Sequence, residues 1–217
     1  MPDFTLARRN MLESQLRSAA VTEPRLIAAM GSIPRERFLP EKARALAYGE
    51  QALSIAPGRY MLAPLCLGVL LQAAEIKASE VVLVVGAGDG YAGAIVAKLA
   101  GTVIGLESDA TLFQRAVDAL SDLGIDNIAL VNGPLTAGYP RQAPYNVIVV
   151  NGAVQTGLDP LTAQLSDGGR LVCVEYENSI GRARIYRRDA GVVAGRTVRD
   201  LNAALLPGFE RTAAFSF

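Results

Sequence analysis

The chain contains no histidine and only two cysteines. Without histidine it lacks the commonest acid/base group at neutral pH and the commonest transition-metal ligand, so a Ser-His-Asp triad is excluded and no metal site is expected. Cys66 and Cys173 are too few for a disulfide framework and sit in apolar stretches, so they read as buried thiols. Charge is also scarce. Charged residues make up 19% of the chain, and 21 Lys+Arg against 21 Asp+Glu leave no net charge. That balance argues against nucleic acid as a partner and leaves self-association, as a homodimer, open. Long hydrophobic runs are missing too. The most apolar stretch, residues 61–74, is too short to span a membrane and is interrupted by Pro64. The opening Met1-Pro2-Asp3-Phe4-Thr5 has no apolar signal-peptide core. A soluble cytoplasmic protein with no membrane partner is the expectation. What the chain does have is 51% hydrophobic residues in 217 positions, enough for one large core with a helical extension.

Apolar spacing divides the chain in two. Residues 5–30 read as helical, with Leu6, Met11, Leu12, Leu16, Ala19 and Ala20 at helical intervals. A second helix is expected to start at Thr22-Glu23-Pro24, with Thr22 as cap and Pro24 in the first turn. Residues 33–40 read as a proline-stiffened connector, 41–48 as a short helix, Pro57-Gly58 as a turn and 63–74 as a helix. At Glu80 the period changes. Val81-Val82-Leu83-Val84-Val85 is apolar without alternation, as in a central strand buried on both faces. Helices at 91–100, 110–123 and 158–165 then alternate with strands at 102–107, 127–131, 145–150 and 170–175. The Ser166-Asp167-Gly168-Gly169 turn precedes the last of these. This is the βαβ rhythm of a mainly parallel, doubly wound, Rossmann-like α/β sheet. Strands at 183–187, 192–198 and 211–217 are expected as an antiparallel C-terminal edge. The expected division is a helical cap over residues 1–78 and a Rossmann-like core over 79–217, forming one compact unit.

Chemistry concentrates at Gly86-Ala87-Gly88-Asp89-Gly90, between the apolar strand and the following helix. Glycines there permit positive φ and close approach of a ligand to the backbone, and the helix start offers unpaired N–H groups. A tight turn without a ligand is the alternative. A dinucleotide fingerprint is GxGxxG, but here the third glycine comes one residue early and Tyr91 takes its place, which weighs against NAD or FAD. Glu107 ends the next strand, where a carboxylate can accept both hydroxyls of a ribose; a solvated strand-end acid is the other reading. Asp89 is placed to hydrogen-bond locally or to face a cationic part of a ligand.

Several segments in order make the sequence similar to a known family. They are Met11-Leu12-Glu13-Ser14-Gln15-Leu16, Pro34-Arg35-Glu36-Arg37-Phe38-Leu39-Pro40, Ala47-Tyr48, the strand and glycine turn through Tyr91, and Ala143-Pro144-Tyr145-Asn146 with the apolar run after it. Together they resemble the protein-L-isoaspartate (D-aspartate) O-methyltransferases, within the S-adenosylmethionine-dependent methyltransferases. The resemblance runs from about Met11 to Glu175. It implies a Rossmann-like methyltransferase sheet with N-terminal helices over the site, S-adenosylmethionine as cofactor, S-adenosylhomocysteine as product, and a protein or peptide carboxylate as acceptor. Cofactor contacts are implied for Gly86, Ala87, Gly88, Asp89, Gly90, Glu107, Asn132 and Gly133.

The departures are as informative. Where the family places Gly-Gln-Thr-Ile-Ser-Gln-Pro-Tyr over its active site, this chain has Gly58-Arg59-Tyr60-Met61-Leu62-Ala63-Pro64-Leu65. Arg59, Tyr60 and Leu62 therefore hold the catalytic-loop positions with altered chemistry, and Leu62 has no donor or acceptor. Arg59, Tyr60 and Met61 are expected to line the substrate mouth, with Arg59 read as a surface residue in preference to half of an anion-binding pair with Tyr60. Val84 and Pro134 stand where the family carries acids, and Asn151-Gly152-Ala153 where it has Thr-Ala-Ala. Three readings stay open: a methyltransferase of isoaspartyl type with changed acceptor recognition, a degenerate member that binds the cofactor or a partner, and a nicotinamide or flavin oxidoreductase disfavoured by the GxGxG spacing. Methyl transfer itself needs alignment more than acid/base groups, so the absence of histidine does not oppose the first.

Overall fold

The structure, a computed structural model, describes residues 3–211. Helix α1 (Phe4–Asn10) is capped by Asp3, whose carboxylate accepts from the Thr5 and Leu6 N–H groups at 3.0 Å. It continues as a π-helical stretch, Met11–Leu16, and a 3₁₀ turn, Arg17–Ala19. Helix α2 (Pro24–Ser32) begins one residue later than expected. Glu23 is its cap, accepting from Leu26 N–H, while the Thr22 amide is drawn away to Gln72 Oε1 at 2.7 Å. Residues 41–48 contain only a 3₁₀ segment, Glu41–Leu46. A small hairpin follows, β1 (Leu53–Ala56) and β2 (Arg59–Met61), folded at Pro57-Gly58. Helix α3 (Pro64–Ala74) starts on its proline.

The main sheet comprises β3 (Val81–Val85), β4 (Thr102–Glu107), β5 (Ile128–Asn132), β6 (Tyr145–Val154), β7 (Leu165–Glu177), β8 (Ile180–Asp189) and β9 (Val192–Asp200). Helices α4 (Tyr91–Ala97), α5 (Ala110–Asp122) and α6 (Asp159–Thr162) connect them. The spatial order is β5-β4-β3-β6-β7-β8-β9, parallel from β5 to β7 and antiparallel beyond. The chain winds outward from β3 through β4 to β5, then returns to place β6 on the other side. That reversal opens a crevice at the carboxyl ends of β3 and β6, where ligands of such sheets sit. The apolar run is buried on both faces: Val82, Leu83, Val84 and Val85 are sealed from solvent.

Some boundaries differ from the periodicity. The expected helix over 158–165 shrinks to the four residues of α6, because β7 already begins at Leu165. The Ser166–Gly169 turn lies inside β7 as an irregularity, where pairing passes from Tyr145↔Leu165 to Val147↔Arg170. Helix α4 stops at Ala97, and β6 extends past Val150 to Val154 because a later segment pairs with it. The expected strand at 211–217 lies outside the described residues except for Arg211. No helix among the described residues is long and apolar enough to cross a membrane.

Candidate functional site

The crevice is bounded by the glycine turn, the end of β4 and the end of β6. Gly86 and Gly88 have φ of +76° and +62°, a left-handed region costly for residues with a side chain. Glu107 ends β4 fully buried. Its carboxylate accepts the Gly88 N–H at 2.6 Å, the Ser108 N–H at 2.8 Å and the Asp109 N–H at 2.9 Å. Asn132 and Gly133 lie beside it at the end of β5, both donating to the Glu107 carbonyl, through Nδ2 and the backbone N–H respectively, at 3.1 Å. The fold thus brings Gly88, Glu107, Asn132 and Gly133 to one place.

The structure corrects the reading of Arg59. It is not a surface residue at a substrate mouth: it is only 5% exposed and reaches from β2 into the crevice. Nη1 donates to Glu107 Oε1 at 2.5 Å and Nη2 to Oε2 at 2.6 Å, a two-pronged ion pair. The physical reason is that a buried carboxylate at a strand end needs a countercharge, and β2 carries the guanidinium within reach. Tyr60, by the alternation of β2, points out and is 40% exposed, whereas Met61 and Leu62 are buried. Arg59 and Tyr60 therefore do not converge as an anion-binding pair.

The loop after β2 is held by a residue of the proline-stiffened connector. Arg35 is fully buried; its Nη2 donates to the Leu62 carbonyl and its Nε to the Ala47 carbonyl at 2.7 Å. Its guanidinium lies over the Tyr91 ring, 4.9 Å from the centroid. Two further crevice residues went unread in the sequence. Ile55 packs against Gly88, where an added Cβ would meet its Cδ1 at 3.2 Å. Leu206 packs against Gly86 and Gly152, where added Cβ atoms would lie 3.1 Å from its Cδ1 and 2.5 Å from its Cγ respectively. The available signal for Leu206 was the apolar run Ala203-Ala204-Leu205-Leu206 ahead of Pro207-Gly208.

Leu206 is brought there by residues 201–209, which run across the carboxyl end of β6. Ala153 N–H donates to Ala204 O at 2.8 Å, Leu206 N–H to Ala153 O at 2.9 Å and Gln155 N–H to Phe209 O at 2.9 Å. Phe209 is fully buried and anchors the far end. Asn151 Nδ2 donates to the Gly86 carbonyl at 2.9 Å, tying β6 to the glycine turn.

Asp89 takes the local option. Its Oδ1 accepts the Tyr91 N–H at 3.1 Å, and it borders a separate groove that includes Arg37, Arg44 and Arg115. Oδ2 has no partner among the described residues. Burial pushes this carboxyl up to about 6 against the partial opposition of the Tyr91 amide and the Arg35 and Arg115 charges. A carboxyl raised in the folded state binds protons more readily there than in the unfolded chain. Stability is therefore expected to fall as pH rises from about 4 through 6, by a total of about 3 kcal/mol. Asp89→Asn keeps the Oδ1 acceptor and removes the charge. It is expected to raise the urea midpoint at pH 8 and to flatten this limb; an unchanged pH profile would show that Asp89 is not its source.

A family model described as Protein-L-isoaspartate(D-aspartate) O-methyltransferase (PCMT) matches residues 7–202. Protein-L-isoaspartate O-methyltransferase 2 of Anaeromyxobacter sp. (strain Fw109-5) is 42% identical over 165 residues, covering 76% of this chain and 68% of that one. Protein-L-isoaspartate O-methyltransferase 1 of Rhodopseudomonas palustris (strain HaA2) is 38% identical over 213 residues, 97% of this chain and 87% of that one. Among solved structures, a protein-L-isoaspartate O-methyltransferase superposes with a TM-score of 0.81 at 22% identity, over 93% of this chain and 66% of its own length. A Plasmodium falciparum protein assigned to the same activity, solved with S-adenosyl-L-homocysteine, gives 0.79 at 18% identity, over 91% and 96%. The fold is the Rossmann-like fold of S-adenosylmethionine-dependent methyltransferases.

Proposed function

Because this chain belongs to the family of protein-L-isoaspartate(D-aspartate) O-methyltransferases, we propose that it is an S-adenosylmethionine-dependent methyltransferase whose acceptor is a carboxylate of a protein or peptide. The observation that carries this reading is Glu107, held at the carboxyl end of β4 against the glycine turn, at the switch point of the sheet. In this reading Gly86, Ala87, Gly88, Asn132 and Gly133 surround the cofactor with Glu107, Asp89 and Gly90 complete the turn from its other side, and of the loop positions Arg59, Tyr60 and Leu62 only Tyr60 is open to an acceptor. In that loop Tyr60 and Leu62 stand where the resemblance implies Thr and Ser. Leu62 offers an acceptor no hydrogen bond, so an isoaspartyl carboxylate placed against it would lose about 1–3 kcal/mol for the unmet polar partner.

As folded here, the crevice does not fit the cofactor. Both Glu107 oxygens are saturated by Arg59 and backbone amides, and the space above Gly86 is taken by Leu206. This favours a second reading, a member that keeps the fold and serves as a partner-binding protein without catalysis. Calorimetric titration with S-adenosylmethionine and S-adenosylhomocysteine, with labelled methyl transfer to an isoaspartyl peptide and to a carboxylate-rich protein, separates the two. Transfer to either acceptor is the expected result; no transfer, whether or not the cofactor binds, would leave the second reading.

A further inference from the structure

We infer that Arg59, Ile55 and Leu206 act as a built-in substitute for the cofactor, so that the chain itself closes the crevice and any nucleoside-type ligand must displace them to enter. The inference rests on the methyltransferase reading only for the identity of the probe. The guanidinium satisfies both oxygens of the acid otherwise suited to ribose hydroxyls, at 2.5 and 2.6 Å. Ile55 and Leu206 cover the two glycines that a ligand would need to approach, close enough that a Cβ added at Gly88 or Gly86 would lie 3.2 or 3.1 Å from them. The three groups come from two separate elements, the β1–β2 hairpin and the segment 201–209, and both are anchored outside the crevice. The hairpin is fixed by Arg115 Nη1 donating to the Ile55 carbonyl at 2.9 Å, and the loop after it by Arg35 on the Leu62 carbonyl. The segment is fixed by the backbone bonds to β6 and by buried Phe209.

Closure by packed, paired groups differs from a loosely collapsed apo cleft. Glycine at 152 is matched to the plug, because a Cβ there would overlap Leu206. Asn151, the neighbour of that glycine, spends its side-chain donor on the Gly86 carbonyl. The Glu107 carboxylate and the Asn151 side-chain donor are thus paired within the protein, and a ligand that uses them must exchange those bonds. A ligand that binds only an open form loses affinity in proportion to how rarely that form occurs, so an open fraction of about one in a hundred weakens binding about a hundredfold.

The test uses S-adenosylhomocysteine as probe and the full chain. Arg59→Gln with Leu206→Ala removes the second prong of the ion pair and the plug while leaving a donor for Glu107. This double variant is expected to bind the probe at least about a hundredfold more tightly than the wild type by calorimetry. Equal affinity of the two proteins overturns the inference while leaving the methyltransferase reading intact. Failure of a folded double variant to bind overturns both. Binding by the variant supports the closure, and methyl transfer by the wild type, assayed separately, decides the methyltransferase reading. Should the double variant not fold, amide exchange on the wild type decides. With the probe at millimolar concentration, the Leu206 and Phe209 amides are expected to exchange at least tenfold faster; bound probe with unchanged exchange there overturns the closure.

Discussion

Replacing Glu107 with alanine is expected to lower the free energy of unfolding by about 3–5 kcal/mol, because it strands a buried guanidinium in the crevice. Arg59 is 5% exposed and would lose both of its partners at once. The Gly88, Ser108 and Asp109 amides would lose their acceptor with it. For a domain whose total stability is commonly about 5–15 kcal/mol, that is enough to leave the fold marginal. Glu107→Gln, which keeps an acceptor but no charge, is expected to cost less. The exposed Arg17–Glu13 pair, whose side chains are 47% and 61% open to solvent, is the control: Glu13→Ala should change stability by less than about 0.5 kcal/mol. Urea unfolding of the three variants checks the ranking. A loss below about 1 kcal/mol for Glu107→Ala would mean that water reaches the crevice and solvates Arg59.

A second effect of similar size is expected away from the crevice. Arg170, at the start of the regular part of β7, is 5% exposed. Its Nη1 and Nη2 donate to the Glu80 carboxylate at 2.7 and 2.8 Å, its Nε to Ala74 O at 2.5 Å and its Nη2 to Glu75 O at 2.6 Å. One side chain therefore ties the end of α3 and the lead-in to β3 to β7. Burial by itself would raise the Glu80 carboxyl, but the Arg170 and Lys77 bonds outweigh it and hold it below its ordinary value. Arg170→Leu removes those donors and leaves a carboxylate and two carbonyls facing an apolar side chain. The expected cost is about 3–4 kcal/mol at neutral pH. It should shrink as pH falls through the carboxylate range, since a lowered carboxyl contributes stability only above its titration. Unfolding at pH 7 and pH 3 measures both; a loss that is the same at the two values would show that packing, not the ion pair, is what Arg170 supplies.

Much of the fold was open to reading from local pattern. The uniform apolar run at 81–85 can be buried only between two layers, and it became the central strand beside β4 and β6. The alternation of strand and helix placed the parallel order, and the late strands fell at the antiparallel edge. Errors came where tertiary contacts overruled local preference. Thr22 has the chemistry of a cap, yet Gln72, fifty residues away, takes its amide. The glycines at 168 and 169 signal a turn, yet they are absorbed within a strand whose neighbour fixes the register on either side.

At the crevice, the sequence by itself determined that a glycine turn and a strand-end acid would meet at the carboxyl edge of a doubly wound sheet. Both features are short-range consequences of strand, turn and strand lengths. It also determined that Leu62 offers neither donor nor acceptor, since side-chain chemistry needs no fold to be read. Only the tertiary structure decided what lies between those parts. Arg59 is forty-eight residues from Glu107 in the chain, and Leu206 arrives from the far end of the described residues. Periodicity tells whether an apolar residue is buried, but not what it is buried against. A long charged side chain can reach water or a buried partner from the same backbone position. For Arg59 that choice was made by the unsatisfied charge of a carboxylate that only the folded sheet brings within 2.6 Å.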